Sequence, residues 1–197
     1  MAISLKKGQR VDLTKGNVKL NRIHVGLGWD EATAETGGGF FSKLLGVRQA
    51  IDCDASVIML EDDKFSEVVY FGQLKSKCRS IVHMGDNLTG AGDGDDEVIN
   101  IDLSQIPSKF NKLVFVVNIF SCKSRNQHFG MIKNAFIRVV DLNNKEELIH
   151  FDLTDNHQDD TSLVVAEIYR QGSEWKFAAI GEGTKDISLQ QICARYK

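Results

Sequence analysis

The segment Gly85-Asp86-Asn87-Leu88-Thr89-Gly90-Ala91-Gly92-Asp93-Gly94-Asp95-Asp96-Glu97 holds the densest chemistry in the chain. Residues 86 to 97 contain five carboxylates, one Asn, one Thr and no Lys or Arg. The segment carries −5 in a protein of net charge −3, so the remainder sums to +2. Four glycines allow tight winding that turns backbone carbonyls inward. Carboxylates packed together without cations repel one another, and a hard divalent ion relieves that repulsion. Calcium takes roughly six to eight oxygens from carboxylates, amide carbonyls and backbone carbonyls, and all three types occur here. Magnesium keeps its waters and uses few carboxylates. Zinc fits poorly because the segment has no His or Cys. An EF-hand is a poor match: counting from Asp93, the sixth position is Val98 and not Gly. The competing reading is a solvated acidic loop that binds nothing.

A second acidic pair is Asp52-Cys53-Asp54. Residues two apart on an extended chain point to the same side, so the two carboxylates can converge on one ion. Asp30 follows Gly28-Trp29 and can join them if its strand ends at the same place. The five histidines, His24, His83, His128, His150 and His157, read as surface or hydrogen-bonded core residues. No Gly-x-Ser-x-Gly elbow is present, and Cys122 with His128 is an unsupported nucleophile pair. Lys123, Arg125, His128 and Lys133 form a basic patch around one loop.

Short strands must position these groups. Ile23, Val25, Leu27 and Trp29 alternate with small or polar residues, as do Val98 to Leu103. Leu113 to Phe120 is nearly all apolar, which predicts a strand covered on both faces. Further strands are expected at 3–5, 55–60, 67–72, 80–84, 135–141, 147–153, 162–170 and 175–180. Residues 31–50 read either as one helical turn around Phe41 to Leu45 or as a loop. Leu189, Ile192, Cys193 and Tyr196 fall at helical spacing, with Ser188 and Gln191 forming a capping-box pattern. The expectation is an all-β chain: a two-sheet antiparallel β-sandwich with a short C-terminal helix, as one domain over residues 1–197. Strand ends of a sandwich cluster at two poles, so loops distant in sequence can build one site.

Composition narrows the function. The charge balance argues against nucleic acid as a partner. The chain has a single proline, Pro107, where an average composition would give about ten, so no Pro-rich linker exists. The N-terminal residues lack the apolar run of a signal peptide, and no stretch is long enough to be a transmembrane segment. The four cysteines, Cys53, Cys78, Cys122 and Cys193, form no C-x-x-C pair and read as reduced thiols in a cytoplasmic protein.

Gly28-Trp29-Asp30, Asp52-Cys53-Asp54-Ala55-Ser56 and Gly85 to Gly90 running into Gly94-Asp95-Asp96-Glu97 resemble the TerD family of tellurium-resistance and stress proteins. The resemblance continues, in order, through Asn126 to Gly130, Asn134 to Arg138, Phe151 to Leu153, Glu167 to Arg170 and Trp175 to Phe177. It implies a β-sandwich that binds calcium in loops at one end, in a bacterial stress response. Carried over by position, it implies Asp30, Asp52, Asp54, Asp86, Asn87, Asp95, Asp96 and Glu97 as metal ligands, with Asp93 beside them. Two features depart from the family pattern: a longer link from Glu31 to Ile51, and Cys53 in place of leucine. The expected protein is a non-enzymatic, cytoplasmic calcium-binding module acting as a binding or scaffold unit in stress tolerance. Its expected partners are calcium ions, with other tellurium-resistance proteins or a membrane-bound partner beyond them. Alternatives are a calcium-dependent adaptor to a membrane-bound partner or anionic surface, and a metal-dependent hydrolase.

Overall fold

The computed structural model describes residues 2–16, 20–31, 51–85, 94–153 and 157–197. Among these, twelve strands form two six-stranded sheets. They are β1 (Ile3–Leu5), β2 (Arg10–Asp12), β3 (Arg22–Glu31), β4 (Cys53–Glu61), β5 (Lys64–Val69), β6 (Ile81–His83), β7 (Glu97–Asp102), β8 (Phe110–Ile119), β9 (Ile132–Asp141), β10 (Glu147–Asp152), β11 (Ser162–Gln171) and β12 (Glu174–Thr184). The first sheet runs β1-β10-β9-β3-β7-β6 and the second β2-β12-β11-β8-β4-β5. All pairings are antiparallel except β1 with β10, which is parallel. Two short helices, α1 (Cys122–Arg125) and α2 (Leu189–Ala194), complete the fold. Of residues 31–50, Glu31 ends β3 and residues 32–50, which include the helical turn or loop expected around Phe41 to Leu45, lie outside the described residues.

Two apolar layers explain the burial pattern. Ile23, Val25, Leu27 and Trp29 of β3 face Val57, Met59, Phe115 and Phe177 of the second sheet in the main core. A second cluster lies on the outer face of the second sheet, where Ile58, Leu60, Val114, Val116 and Val164 surround Ile192. This is why Leu113 to Ile119 is apolar without alternation: β8 has the sandwich interior on one side and α2 on the other. Leu189, Cys193 and Tyr196 pack on the same cluster, as the helical spacing requires. The Ser188 hydroxyl accepts from Gln191 N–H at 3.4 Å, while Gln191 Oε1 accepts from Ile187 N–H at 2.8 Å. The reciprocal cap is present, with the Gln reaching one residue further back than the simple pattern.

Strand β2 was missed by pattern because three residues carry no periodicity. Its register on β12, Val11 opposite Phe177, is set by long-range pairing. All four cysteines are free thiols. Among the described residues no helix is long and apolar enough to cross a membrane.

Candidate functional site

One pole of the sandwich gathers the candidate carboxylates. In the first sheet the end of β3 lies beside the starts of β7 and β9: Leu27 is opposite Glu97 and Asp30 opposite Lys133. In the second sheet the start of β4 lies beside the end of β8, with Asp54 opposite Asn118. His83, at the end of β6, ties the two sheets together here. Its Nε2 lies 3.1 Å from Ala55 O and 2.9 Å from Glu97 Oε2. Gly85 N–H donates to its Nδ1 at 3.2 Å, which assigns the ring proton to Nε2. Both side chains are 1% exposed, so this is an interior bolt, anchored on the carbonyl of the residue that follows Asp54. Glu97 therefore faces His83 inside the sandwich.

Asp95 is held differently. Its Oδ1 accepts from Arg138 Nε at 2.8 Å and its Oδ2 from Arg138 Nη2 at 3.0 Å, a two-pronged clamp. His24 Nε2 lies 2.8 Å from the same Oδ2. Gly26 makes the room, because a Cβ there would land on the Asp95 carboxylate. His24, Gly26 and Arg138 lie next to one another on the outer face because Gly26 is opposite Arg138 in the β3–β9 register. Burial alone would raise the Asp95 pKa, but the His24 and Arg138 hydrogen bonds and the Arg138 charge hold it below the ordinary carboxylate value. Arg138 extends the network to Glu147 Oε2 at 3.1 Å, and Glu147 meets His150 Nδ1 at 3.1 Å. With both oxygens engaged, Asp95 positions the arm that carries Asp96.

Asp96 is the strained member of the group. Its Oδ2 accepts from Trp29 N–H at 2.8 Å. Burial pushes its pKa up, and the negative charges of Asp30, Asp95 and Glu97 push it further, against the Trp29 hydrogen bond. Asp30 accepts from Asn134 Nδ2 at 2.8 Å and remains exposed. On the second sheet, Asp54 is 5% and Asn118 7% exposed. Asn118 Nδ2 reaches Asp54 Oδ2 only at 3.4 Å, and Asn118 Oδ1 is buried without a hydrogen-bond partner. Asp52 lies 3.8 Å from Arg125 Nη1, and its carbonyl accepts from Phe120 N–H at 2.7 Å.

The pole thus brings Asp30, Asp95, Asp96 and Glu97 together on one sheet and Asp52 and Asp54 together on the other. Asp86, Asn87 and Asp93 lie outside the described residues. Among the described residues no three His, Cys, Asp or Glu side chains stand close enough to hold an ion by themselves. Sequence reasoning read His24 and His83 as surface or hydrogen-bonded core histidines, as they are, but gave neither these two nor Arg138 and Asn118 a place in the site. The signal for Arg138 was an arginine at an outward position of a strand beside a carboxylate-rich arm. Asn118 was hidden in an apolar run, where a lone amide is itself the signal.

Comparison with known proteins agrees with this architecture. Residues 1–196 match the TerD domain. The chain is 60% identical to the stress response protein SCP2 of Bacillus subtilis (strain 168), across 100% of both chains. It is 37% identical to the tellurium resistance protein TerD of Serratia marcescens, over 100% of this chain and 97% of that one. A crystal structure of a homologue of the telluride resistance protein TerD from Streptomyces coelicolor A3(2) superposes with a TM-score of 0.64 at 20% identity. That superposition covers 87% of this chain and 94% of the other, and establishes the shared fold. With the domain matched over residues 1–196 and relatives covered over 97–100% of their length, the chain belongs to the TerD family.

Proposed function

We propose that the carboxylate pole binds calcium and that the chain serves bacterial stress tolerance as a cytoplasmic calcium-binding module, not as an enzyme. The observation that carries this reading is the crowding around Asp96, a partly buried carboxyl held 2.8 Å from Trp29 N beside the carboxylates Asp30, Asp95 and Glu97, where burial and those charges push its pKa up. A divalent cation removes that penalty and favours the ionised form. The buried Asn118 Oδ1 beside Asp54 supplies a neutral oxygen of the kind calcium takes. Asp30 and Asp96 would ligate from the first sheet, Asp52, Asp54 and Asn118 from the second, and Asp86, Asn87 and Asp93 from the intervening segment. Asp95 and Glu97 hold the arm in place through Arg138 and His83. Calcium supplies positive charge at the pole. The stress and tellurium-resistance names of the relatives support the physiological half of the proposal.

The test is titration calorimetry with calcium and with magnesium. Calcium is expected to bind more tightly, because a many-oxygen site suits its larger and flexible shell. Asp96→Asn and Asp54→Asn should each weaken binding. Equal affinity for magnesium, or calcium affinity unchanged in both variants, would remove the assignment.

A further inference from the structure

A second surface, along the β5–β6 edge beside the carboxylate pole, has the chemistry of a docking site. Between β5 and β6, residues 71–80 contain Lys75, Lys77 and Arg79 and no carboxylate, a local charge of +3 in a chain of net −3. All three cations are exposed, and among the described residues none forms an ion pair. The same segment exposes Phe71 to 42% and Leu74 to 42%, and Met84 beyond β6 to 59%.

The segment is built, not loose. Tyr70 and Gln73 exchange backbone hydrogen bonds at 3.2 and 2.9 Å, which puts Phe71 and Gly72 at the tip of a tight hairpin. Leu74 O then accepts from His83 N–H at 2.8 Å and Ser76 N–H donates to Ile81 O at 3.0 Å, so the chain runs along β6. Buried Glu67 pins it from beneath, accepting from Lys77 N–H at 2.8 Å and Gln73 Nε2 at 3.1 Å. The cations and apolar side chains are thus presented by a fixed edge where the two sheets meet.

We propose that this edge docks on anionic phospholipid bilayers, without calcium. Exposed cations complement anionic headgroups, and apolar side chains beside them enter the interfacial layer. Lys and Arg lie along such a boundary with their stems in the apolar layer and their charges in water. At the hairpin tip the exposed Phe71 ring stands edge-on to Tyr70, with centroids 5.3 Å apart. A headgroup layer is fluid and takes up exposed apolar side chains without preformed pockets, whereas an acidic protein face would need a matching pocket for each.

The experiment is flotation of the full chain in EDTA with vesicles of phosphatidylcholine alone or mixed with phosphatidylglycerol. Binding is expected only to the anionic vesicles, and should weaken as salt rises. Lys75→Glu with Lys77→Glu and Arg79→Glu should lower partitioning by about tenfold or more, while Lys6→Glu with Arg10→Glu and Lys15→Glu, an equal charge change elsewhere, stays within about twofold. Phe71→Ser with Leu74→Ser should also lower it with all charges kept. Circular dichroism melts confirm that each variant is folded. Absence of binding in EDTA, binding that needs calcium, or equal loss in the two charge variants would overturn the proposal. Retention on polyglutamate that is indifferent to the Phe71 and Leu74 changes would overturn it in favour of an acidic protein partner.

Discussion

Replacing Arg138 with Met tests the clamp on Asp95. The substitution keeps the aliphatic stem over the sheet and removes two charge-assisted hydrogen bonds, at 2.8 and 3.0 Å, from a carboxylate whose side chain is 6% exposed. Removing one partner of a fully buried pair costs about 3–5 kcal/mol. Arg138 itself is 33% exposed and His24 still contacts Asp95, so solvent and the remaining partner reduce that figure. A loss of about 1–3 kcal/mol is expected, in the range of hydrogen bonds to charged groups. Urea denaturation at neutral pH measures it. The pH dependence carries the sign. Because the folded pKa of Asp95 is depressed, its contribution is present above the unfolded value of 3.8 and is lost as pH falls through the lower folded value. The gap between wild type and Arg138→Met should therefore close at low pH. Calcium binding separates positioning from simple Coulomb attraction. Deleting a cation near an acidic pole would strengthen calcium binding if charge alone mattered, whereas loss of the clamp frees the Asp95–Asp96 arm and weakens it. A stability change within experimental error, or a gap that widens at low pH, would refute the clamp.

Gly26→Ala should imitate Arg138→Met from the other side, since the new Cβ displaces the Asp95 carboxylate, with a cost of about 1–3 kcal/mol by denaturant unfolding. His83→Leu should be more severe, about 3–5 kcal/mol, because it leaves Glu97 buried at 1% exposure without the ring that meets it, and Glu97→Gln should recover part of the loss in the double variant. Calcium binding should release protons in the acid range where Asp96 titrates. Its folded pKa is raised, so ionising it costs stability as pH rises through that value, and the ion shifts it back. Potentiometric titration on calcium addition checks this, and Asp96→Asn should reduce the release.

Much of the fold was legible because period-two alternation and a helical stripe are local signals. The β3 alternation from Ile23 to Trp29 and the Leu189 to Tyr196 stripe both face apolar clusters as their spacing requires. The parallel pairing of β1 on β10 and the existence of β2 were not legible, because three-residue strands owe their form to partners far along the chain. The acidic arm was visible as composition, but its division of labour was not. Asp95, Asp96 and Glu97 are adjacent and chemically alike, yet one is clamped by arginine, one is crowded and one faces a buried histidine. Those differences depend on which strand lies across from each residue. Gly26 opposite Arg138 is a register fact, and register is fixed by the pairing of whole sheets.

Thermal unfolding in EDTA against calcium tests most directly whether the carboxylate pole is a calcium site. An ion that binds only the folded chain raises stability by about 2.7 kcal/mol at a hundredfold excess over its dissociation constant. For a chain of this length that corresponds to a rise of roughly 5–10 °C in Tm. Such a rise is expected with calcium, a smaller one with magnesium, and its loss in Asp96→Asn. A Tm that is the same in EDTA and in saturating calcium would contradict a calcium site there.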